Sequence, residues 1–217
     1  MRTDDLIAEL AREPAPVQRL ARPWQRALLW LAISAAYAVL VVVLSHRDFS
    51  SWRMSDMRFV VEQLAAAATA LTAVVAAFRS VVPGHARGWL WLPVIPLTVW
   101  LAALGEGCVH DWLQSGRGAL SIRDDWDCLE WAAIIGIIPA IVIVLMLRRG
   151  APLLPRASLA LAALAVAAFS NFVMRLHHYG DASIIILVWH LGSVLFVALI
   201  AGAVGNHVLK WRHLRTV

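Results

Sequence analysis

The sequence predicts an all-α membrane protein, a polytopic bundle of six transmembrane helices preceded by a short N-terminal helix. Hydrophobic residues make up 61% of the 217 residues and only 15% are charged, against roughly half and a quarter in soluble domains. The apolar residues fall into blocks of about 20, the length that crosses a hydrocarbon core of roughly 30 Å. Many of the eleven Trp lie near the ends of these blocks, as an interfacial aromatic belt requires.

The apolar blocks predict both the spans and the division of the chain. The six spans are placed at residues 27–45, 59–78, 89–108, 128–147, 157–176 and 184–208. The chain then consists of an N-terminal tail (1–26), a membrane domain (27–208) and a C-terminal tail (209–217). Prolines in the third and fourth spans predict kinks. Alanine-rich stretches in the second and fifth spans predict close helix packing.

The distribution of Lys and Arg predicts the orientation. Thirteen of the 19 fall on the side of the two tails, and cytoplasmic segments carry the excess of positive charge, so both termini are predicted in the cytoplasm. The formal charge of +5 then reflects topology rather than nucleic-acid binding, because no basic stripe is interleaved with aromatic residues. Phosphate-loop, hydrolase-elbow and zinc-protease motifs are absent from the sequence. We therefore predict no enzyme and no cofactor.

The N-terminal tail carries a short amphipathic helix, capped by Thr3 and stopped by two prolines. Asp4 and Asp5 lie in its first turn, and Leu6, Ile7 and Leu10 form its apolar face. Val17 and Leu20 follow as a second small apolar set. A helix of about ten residues is marginal alone in water. The tail therefore either lies on the inner leaflet or folds on a protein partner. The acidic first turn favours the protein partner, because an anionic leaflet repels it.

The two cysteines fall on the same predicted outer face, at the end of span three and the start of span four. Polar residues lie close to Cys108 and Cys128 in the sequence: Glu106, His110, Asp111, Asp124, Asp125, Asp127 and Glu130. Glu62, near the outer end of span two, is a further candidate member of this group. In an oxidising compartment the pair fits a structural disulfide. It also fits a redox-sensing thiol pair and, more weakly because no C-x-x-C spacing occurs, a soft-metal site with His110 and Asp111 as further candidate ligands. These three interpretations stay open.

Several short motifs occur in a fixed order along the chain. They are RTDDLI at 2–7, APV at 15–17 with RL at 19–20, DMRF at 56–59, FRSVVPG at 78–84, GC at 107–108 with DW at 111–112, and WDC at 126–128. In this order and spacing, and together with the six spans, the chain resembles the NrsF-type proteins, the negative regulators of sigma factor F.

The resemblance implies an anti-sigma factor of the bacterial inner membrane. Such a protein holds an extracytoplasmic-function sigma factor away from RNA polymerase and releases it when an external heavy metal or oxidant acts on two cysteines. Applied to this sequence, the resemblance makes Cys108 and Cys128 the sensor pair, and the tail positions the sigma contacts. The implied partners are the sigma factor and the lipid bilayer, without direct contact to nucleic acid.

Three other function classes make different demands on the tail, the cysteines and the spans. A membrane thiol or electron carrier would use the same two cysteines and would not need the tail. A cation transporter would need polar residues through the middle of the membrane, and the spans contain few. A structural subunit would need neither the tail nor the cysteines.

Overall fold

A computed structural model of the chain describes residues 3–12, 20–45, 57–84, 86–115, 126–151, 153–176 and 192–209. Within these ranges every regular element is helical. The helices are α1 Thr3–Arg12, α2 Pro23–Leu44, α3 Met57–Ser80, α4 Val94–Ser115, α5 Trp126–Arg148, α6 Pro155–Arg175 and α7 Gly192–Val208, with a 3-10 helix, Arg87–Trp91, before α4. The all-α prediction is confirmed.

Five stretches of the described chain are long and apolar enough to cross a membrane. They are Pro23–Leu44, Met57–Ser80, Arg87–Gly107, Glu130–Arg148 and Pro155–Arg175, and they coincide within a few residues with the first five predicted spans. Helix α7 is apolar but has 17 residues. It occupies the later part of the predicted sixth span, of which 184–191 lie outside the described residues. The structure is therefore compatible with six spans.

Helices α3 and α6 form the centre of the bundle. Helix α6 packs against α3, α5 and α7, and α3 also packs against α2 and α4. Alanine lines the surfaces at which the two central helices are buried: Ala66, Ala70, Ala73, Ala77, Ala162 and Ala165. Small side chains let helix backbones approach closely, so the packing predicted for the alanine-rich spans is confirmed.

Proline determines where several helices begin and bend. Pro23 and Pro155 lie in the first turns of α2 and α6, where the missing N–H has no intrahelical partner to lose. Pro93 lies between the 3-10 helix and α4, so the predicted third span is a 3-10 turn followed by an α-helix. Pro139 lies inside α5, as predicted.

The bundle has two ends that differ chemically. We call one the cysteine end, where α3 and α5 begin and α4 and α6 end, and the other the tail end, where α2 and α6 begin and α3, α5 and α7 end. At the tail end Gly84 has a φ of 84°, a conformation that glycine adopts without steric cost. The Ala151 N–H donates to the Val81 carbonyl at 3.1 Å. This bond joins the turn after α3 to the turn after α5.

Candidate functional site

The N-terminal helix presents an acidic first turn and an uncovered apolar side chain. Helix α1 begins one residue before the predicted start, and Asp4 and Asp5 lie in its first turn. Both are exposed, and Ile7 on the predicted apolar face is 59% exposed. The short helix predicted for the tail is confirmed.

The remaining tail residues of the candidate site are described less completely. The side chains of Leu6 and Leu10 lie outside the described part of the chain, as does the whole of Val17. Leu20 is 40% exposed and lies just before α2. The roles of these four residues stay predictions.

The two cysteines lie on different helices at the cysteine end. Cys108 lies on α4, directly after the candidate span Arg87–Gly107, and Cys128 lies in the first turn of α5. Their side chains lie outside the described part of the chain, so the disulfide, thiol and metal interpretations stay predictions. Over the described residues α4 packs against α3, whereas α5 packs against α2 and α6. The described packing therefore connects the two helices through α3, and from α3 through either α6 or α2.

A metal site at the cysteine end also stays a prediction. No three His, Cys, Asp or Glu side chains come together among the described residues. Of the four predicted ligands, only His110 has a described side chain, because those of Cys108, Asp111 and Cys128 lie outside the described part of the chain. His110 is half-buried on α4.

At the cysteine end a doubly hydrogen-bonded ion pair joins the two central helices. Nε of Arg175 donates to Oε1 of Glu62 at 3.0 Å, and Nη2 donates to Oε2 at 3.0 Å. Only 17% of the Arg175 side chain and 10% of the Glu62 side chain are exposed. The guanidinium also lies 5.8 Å from the centre of the Phe59 ring. Two parallel hydrogen bonds between buried ions fix the relative position of α3 and α6.

Glu62, the candidate member of the polar group near the cysteines, is paired with an arginine of another helix, and its place in that group stays a prediction. Both of its carboxylate oxygens accept hydrogen bonds from α6. A carboxylate in an apolar span is costly unless it is paired, and Arg175 at the matching end of another span provides that partner. An acid and an arginine at matching depths are the sequence signal that could have identified the pair.

A second ion pair at the cysteine end joins α3 to α4. Nη2 of Arg58 lies 2.9 Å from Oε1 of Glu106, and 41% and 61% of the two side chains are exposed. We call the two pairs, Arg58–Glu106 and Glu62–Arg175, the outer clasp. The clasp runs from α4, which carries Cys108, through α3 to α6, which packs against the helix of Cys128.

At the tail end a buried arginine joins the start of α2 to two other helices. Nη2 of Arg26 donates to the carbonyl of Met146 in the last turns of α5. The guanidinium lies 4.5 Å from the centre of the Phe78 ring on α3, and only 5% of the residue is exposed. A cation at the carboxyl end of a helix is favoured by the helix dipole. Arg26 therefore anchors the point at which the tail enters the bundle.

Two further contacts close the tail end. Nε of Arg148 donates to the carbonyl of Val208 at 3.0 Å, which joins the ends of α5 and α7. The hydroxyls of Ser80 and Ser158 lie 2.7 Å apart between α3 and α6. The sequence predicted Arg26 and Arg148 only as charges that set the orientation. It did not predict that they bind neighbouring helices.

Helix α2 is hydrogen-bonded to α5 along its length. Trp30 Nε1 donates to the carbonyl of Pro139 at 2.9 Å, and the Tyr37 hydroxyl donates to the carbonyl of Ile134 at 2.9 Å. Arg26 also donates to the carbonyl of Met146. Donors later in α2 therefore bond to acceptors earlier in α5, which shows that the two helices are antiparallel. One of the bonds is accepted by the carbonyl of Pro139 itself. Helix α2 therefore contacts the helix of Cys128 at Pro139 and near its carboxyl end.

Comparison with known proteins identifies the family. The family model described as "Negative regulator of sigma F" matches residues 10–211. The match begins after Asp4, Asp5 and Ile7, so the first turns of α1 precede it. Neither the curated proteins nor the solved structures gave a match. With nearly the whole sequence matched, the chain belongs to the NrsF family, the negative regulators of sigma F.

Proposed function

We propose that the chain is a membrane-bound anti-sigma factor that holds an extracytoplasmic-function sigma factor at the cytoplasmic face of the inner membrane. The tail captures the sigma factor, and an oxidant or heavy metal acting on Cys108 and Cys128 releases it. The observation that carries the proposal is the exposed apolar and acidic surface of α1 in a family of sigma-factor regulators.

The exposed surface of the bundle supports membrane insertion. Helix α2 has a mean hydropathy of 2.6 over its best window. Its exposed residues include large apolar side chains that are each more than half exposed: Leu28, Leu29, Val39, Leu40, Val43 and Leu44. Water disfavours apolar surface of this extent, whereas the hydrocarbon core of a bilayer accepts it. The excess of Lys and Arg at the tail end favours a cytoplasmic position for that end.

The tail helix has the properties of a segment that folds on a partner. It has ten residues, fewer than a stable isolated helix needs. Ile7 is available to fill an apolar groove on the sigma factor. The carboxylates of Asp4 and Asp5 favour a basic rim around that groove. Binding then stabilises the helix. The conformational entropy that the tail loses on folding lowers its affinity for the sigma factor, which makes release easier.

Coupling between the two ends would pass through the central helices. A chemical change at Cys108 or Cys128 alters the position of α4 or α5 at the cysteine end. The outer clasp transmits a shift of α4 to α3 and α6, and α2 meets both α3 and α5 at Arg26. Packed helices shift between discrete arrangements rather than deform continuously. A change of about 1–3 kcal/mol in sigma affinity is typical of such coupling.

Co-purification tests the capture step. A candidate sigma factor is co-expressed with the full chain, and the amount retained on the detergent-solubilised protein is measured. Ile7→Asp is expected to abolish retention, because it places a charge in the apolar contact. Ala8→Asp is the matched control, because the helical period places position 8 opposite the apolar face. Equal retention by both variants would contradict tail capture, and a bound redox chromophore or thiol exchange by the protein would favour the carrier interpretation.

A further inference from the structure

A small cavity opens at the tail end between α3, the 3-10 helix and the turn before α6. Its volume is about 150 Å³. Arg79 and Arg87 line it together with Ser80, Gly84, Trp89 and Leu153. One water needs only about 10–15 Å³ of such space, so the cavity has room for a phosphate group.

The guanidinium of Arg79 is held in an orientation that suits an anion. Its central carbon lies 3.6 Å from the centre of the Trp89 ring. Stacking on a ring uses the face of the guanidinium and leaves its N–H groups free in the plane, where they match the oxygens of a phosphate. Nε of Arg79 is buried, and no described residue accepts a hydrogen bond from it.

The charge of the cavity is uncompensated by its described lining. Two arginines line it, and none of the described lining residues is acidic. Two like charges that share a small cavity repel each other, and an anion between them removes the repulsion. Gly84, with its φ of 84°, lets the backbone turn there without a side chain.

The position of the cavity indicates which anion it takes. Arg79 lies at the end of the candidate span Met57–Ser80, and Arg87 opens the candidate span Arg87–Gly107. Both cations therefore lie at headgroup depth if these helices cross the membrane. Exposed apolar side chains lie at and near the cavity: Leu153, which lines it, is 60% exposed, and Trp91, at the end of the 3-10 helix that borders it, is 73% exposed. An anion with attached acyl chains uses both the cationic cavity and these apolar side chains.

We propose that this cavity binds the phosphate of an anionic glycerophospholipid from the cytoplasmic leaflet. The lipid phosphate lies between Arg79 and Arg87, with Trp89 beneath the Arg79 guanidinium, and the acyl chains run along the apolar surface beside Trp91. The proposal rests on the membrane placement proposed above and is independent of sigma capture. The bound lipid fixes the turn after α3 and the start of α6 at the end where the tail emerges.

Native mass spectrometry of the detergent-solubilised full chain tests this proposal. Phosphatidylglycerol, phosphatidylcholine and inorganic phosphate are titrated separately, and the bound fraction is measured. We expect phosphatidylglycerol to bind at least about fivefold more tightly than phosphatidylcholine, because a charge-assisted guanidinium contact discriminates by net charge. Arg79→Gln is expected to remove that preference. Arg156→Gln changes an arginine at the same end that does not line the cavity, and is expected to leave the preference within about twofold, because its charge lies outside the proposed phosphate site.

Three outcomes would overturn the lipid site. Equal binding of the two lipids by the unaltered protein would do so, as would equal losses in the Arg79 and Arg156 variants. Displacement of the lipid by millimolar inorganic phosphate would indicate a site for a free anion instead. Each result is independent of whether the tail captures a sigma factor, so failure of one proposal is distinguishable from failure of the other.

Discussion

The cysteine end and the tail end of the bundle are held together by different chemistry. At the cysteine end, arginines pair with carboxylates, and the charges cancel within the outer clasp. At the tail end, arginines contact backbone carbonyls and aromatic rings, which are neutral. Because these partners are neutral, the contacts that stabilise the tail end leave its positive charge uncancelled. The difference suits the proposed functions, in which the cysteine end senses a chemical change and the tail end binds an anionic lipid.

The largest effect is expected from breaking the buried pair at the cysteine end. Glu62→Ala leaves the Arg175 guanidinium buried without its carboxylate, and removal of one partner of a buried pair costs about 3–5 kcal/mol. We expect a loss near the lower limit, measured as a reduced free energy of unfolding in detergent.

Exchange of the two charges is the control for this pair. A double variant, Glu62→Arg with Arg175→Glu, is expected to recover part of the loss, because the attraction is restored in reverse. A Glu62→Ala protein as stable as the unaltered chain would show that the pair does not hold α3 to α6.

The next effect is expected at the tail end, where helix backbones approach closely. A Cβ at Gly205 would lie 2.7 Å from the Pro155 carbonyl oxygen and 2.8 Å from the Arg156 Cα. Because these are backbone atoms, they cannot move aside independently. Gly205→Ala is expected to cost about 1–3 kcal/mol of stability, as overpacking does.

Gly192→Ala, on the same helix with nothing within 4 Å of its Cβ position, is the matched control and is expected to be neutral or stabilising. Equal thermal stability of the two variants would contradict the close contact between α6 and α7.

A smaller effect is expected from the contact of α2 with Pro139 of α5. Trp30→Phe removes the buried hydrogen bond to the Pro139 carbonyl and some apolar area, and the loss is expected to be about 1–2 kcal/mol. Tyr37→Phe removes an exposed hydrogen bond and is expected to cost less. The denaturation midpoints of the two variants test this order, and the reverse order would show that the contact at Pro139 is not the stronger of the two.

The smallest effect is expected from the exposed half of the outer clasp. Glu106→Gln breaks the pair with Arg58, and exposed ion pairs contribute about 0–1 kcal/mol. We expect a change below about 0.5 kcal/mol at low salt, and none at high salt, because salt screens exposed charges. A loss as large as that of Glu62→Ala would remove the distinction between the buried and the exposed pair.

The sequence predicted the helices much better than their arrangement. Hydropathy and composition predicted the five described spans, the amphipathic α1 and the placement of Cys108 and Cys128 at one end. They did not predict that α4 packs against α3 rather than α5, because lipid and helix interiors are almost equally apolar. The pairing of Glu62 with Arg175 depends on that arrangement, and so does the burial of Arg26. A charge near the end of a span has the same sequence signature whether it faces water or a neighbouring helix.

The central claim is that chemistry at the cysteine end controls sigma retention at the tail end. The most direct test measures sigma factor retained on the membrane-embedded chain before and after a thiol oxidant, for the unaltered protein and for the Cys108→Ser, Cys128→Ser double variant. We predict that the oxidant lowers the affinity of the unaltered chain for the sigma factor by about 5–150-fold, the range of typical allosteric coupling, and leaves the double variant unchanged. Equal loss of the sigma factor from both proteins would contradict the claim.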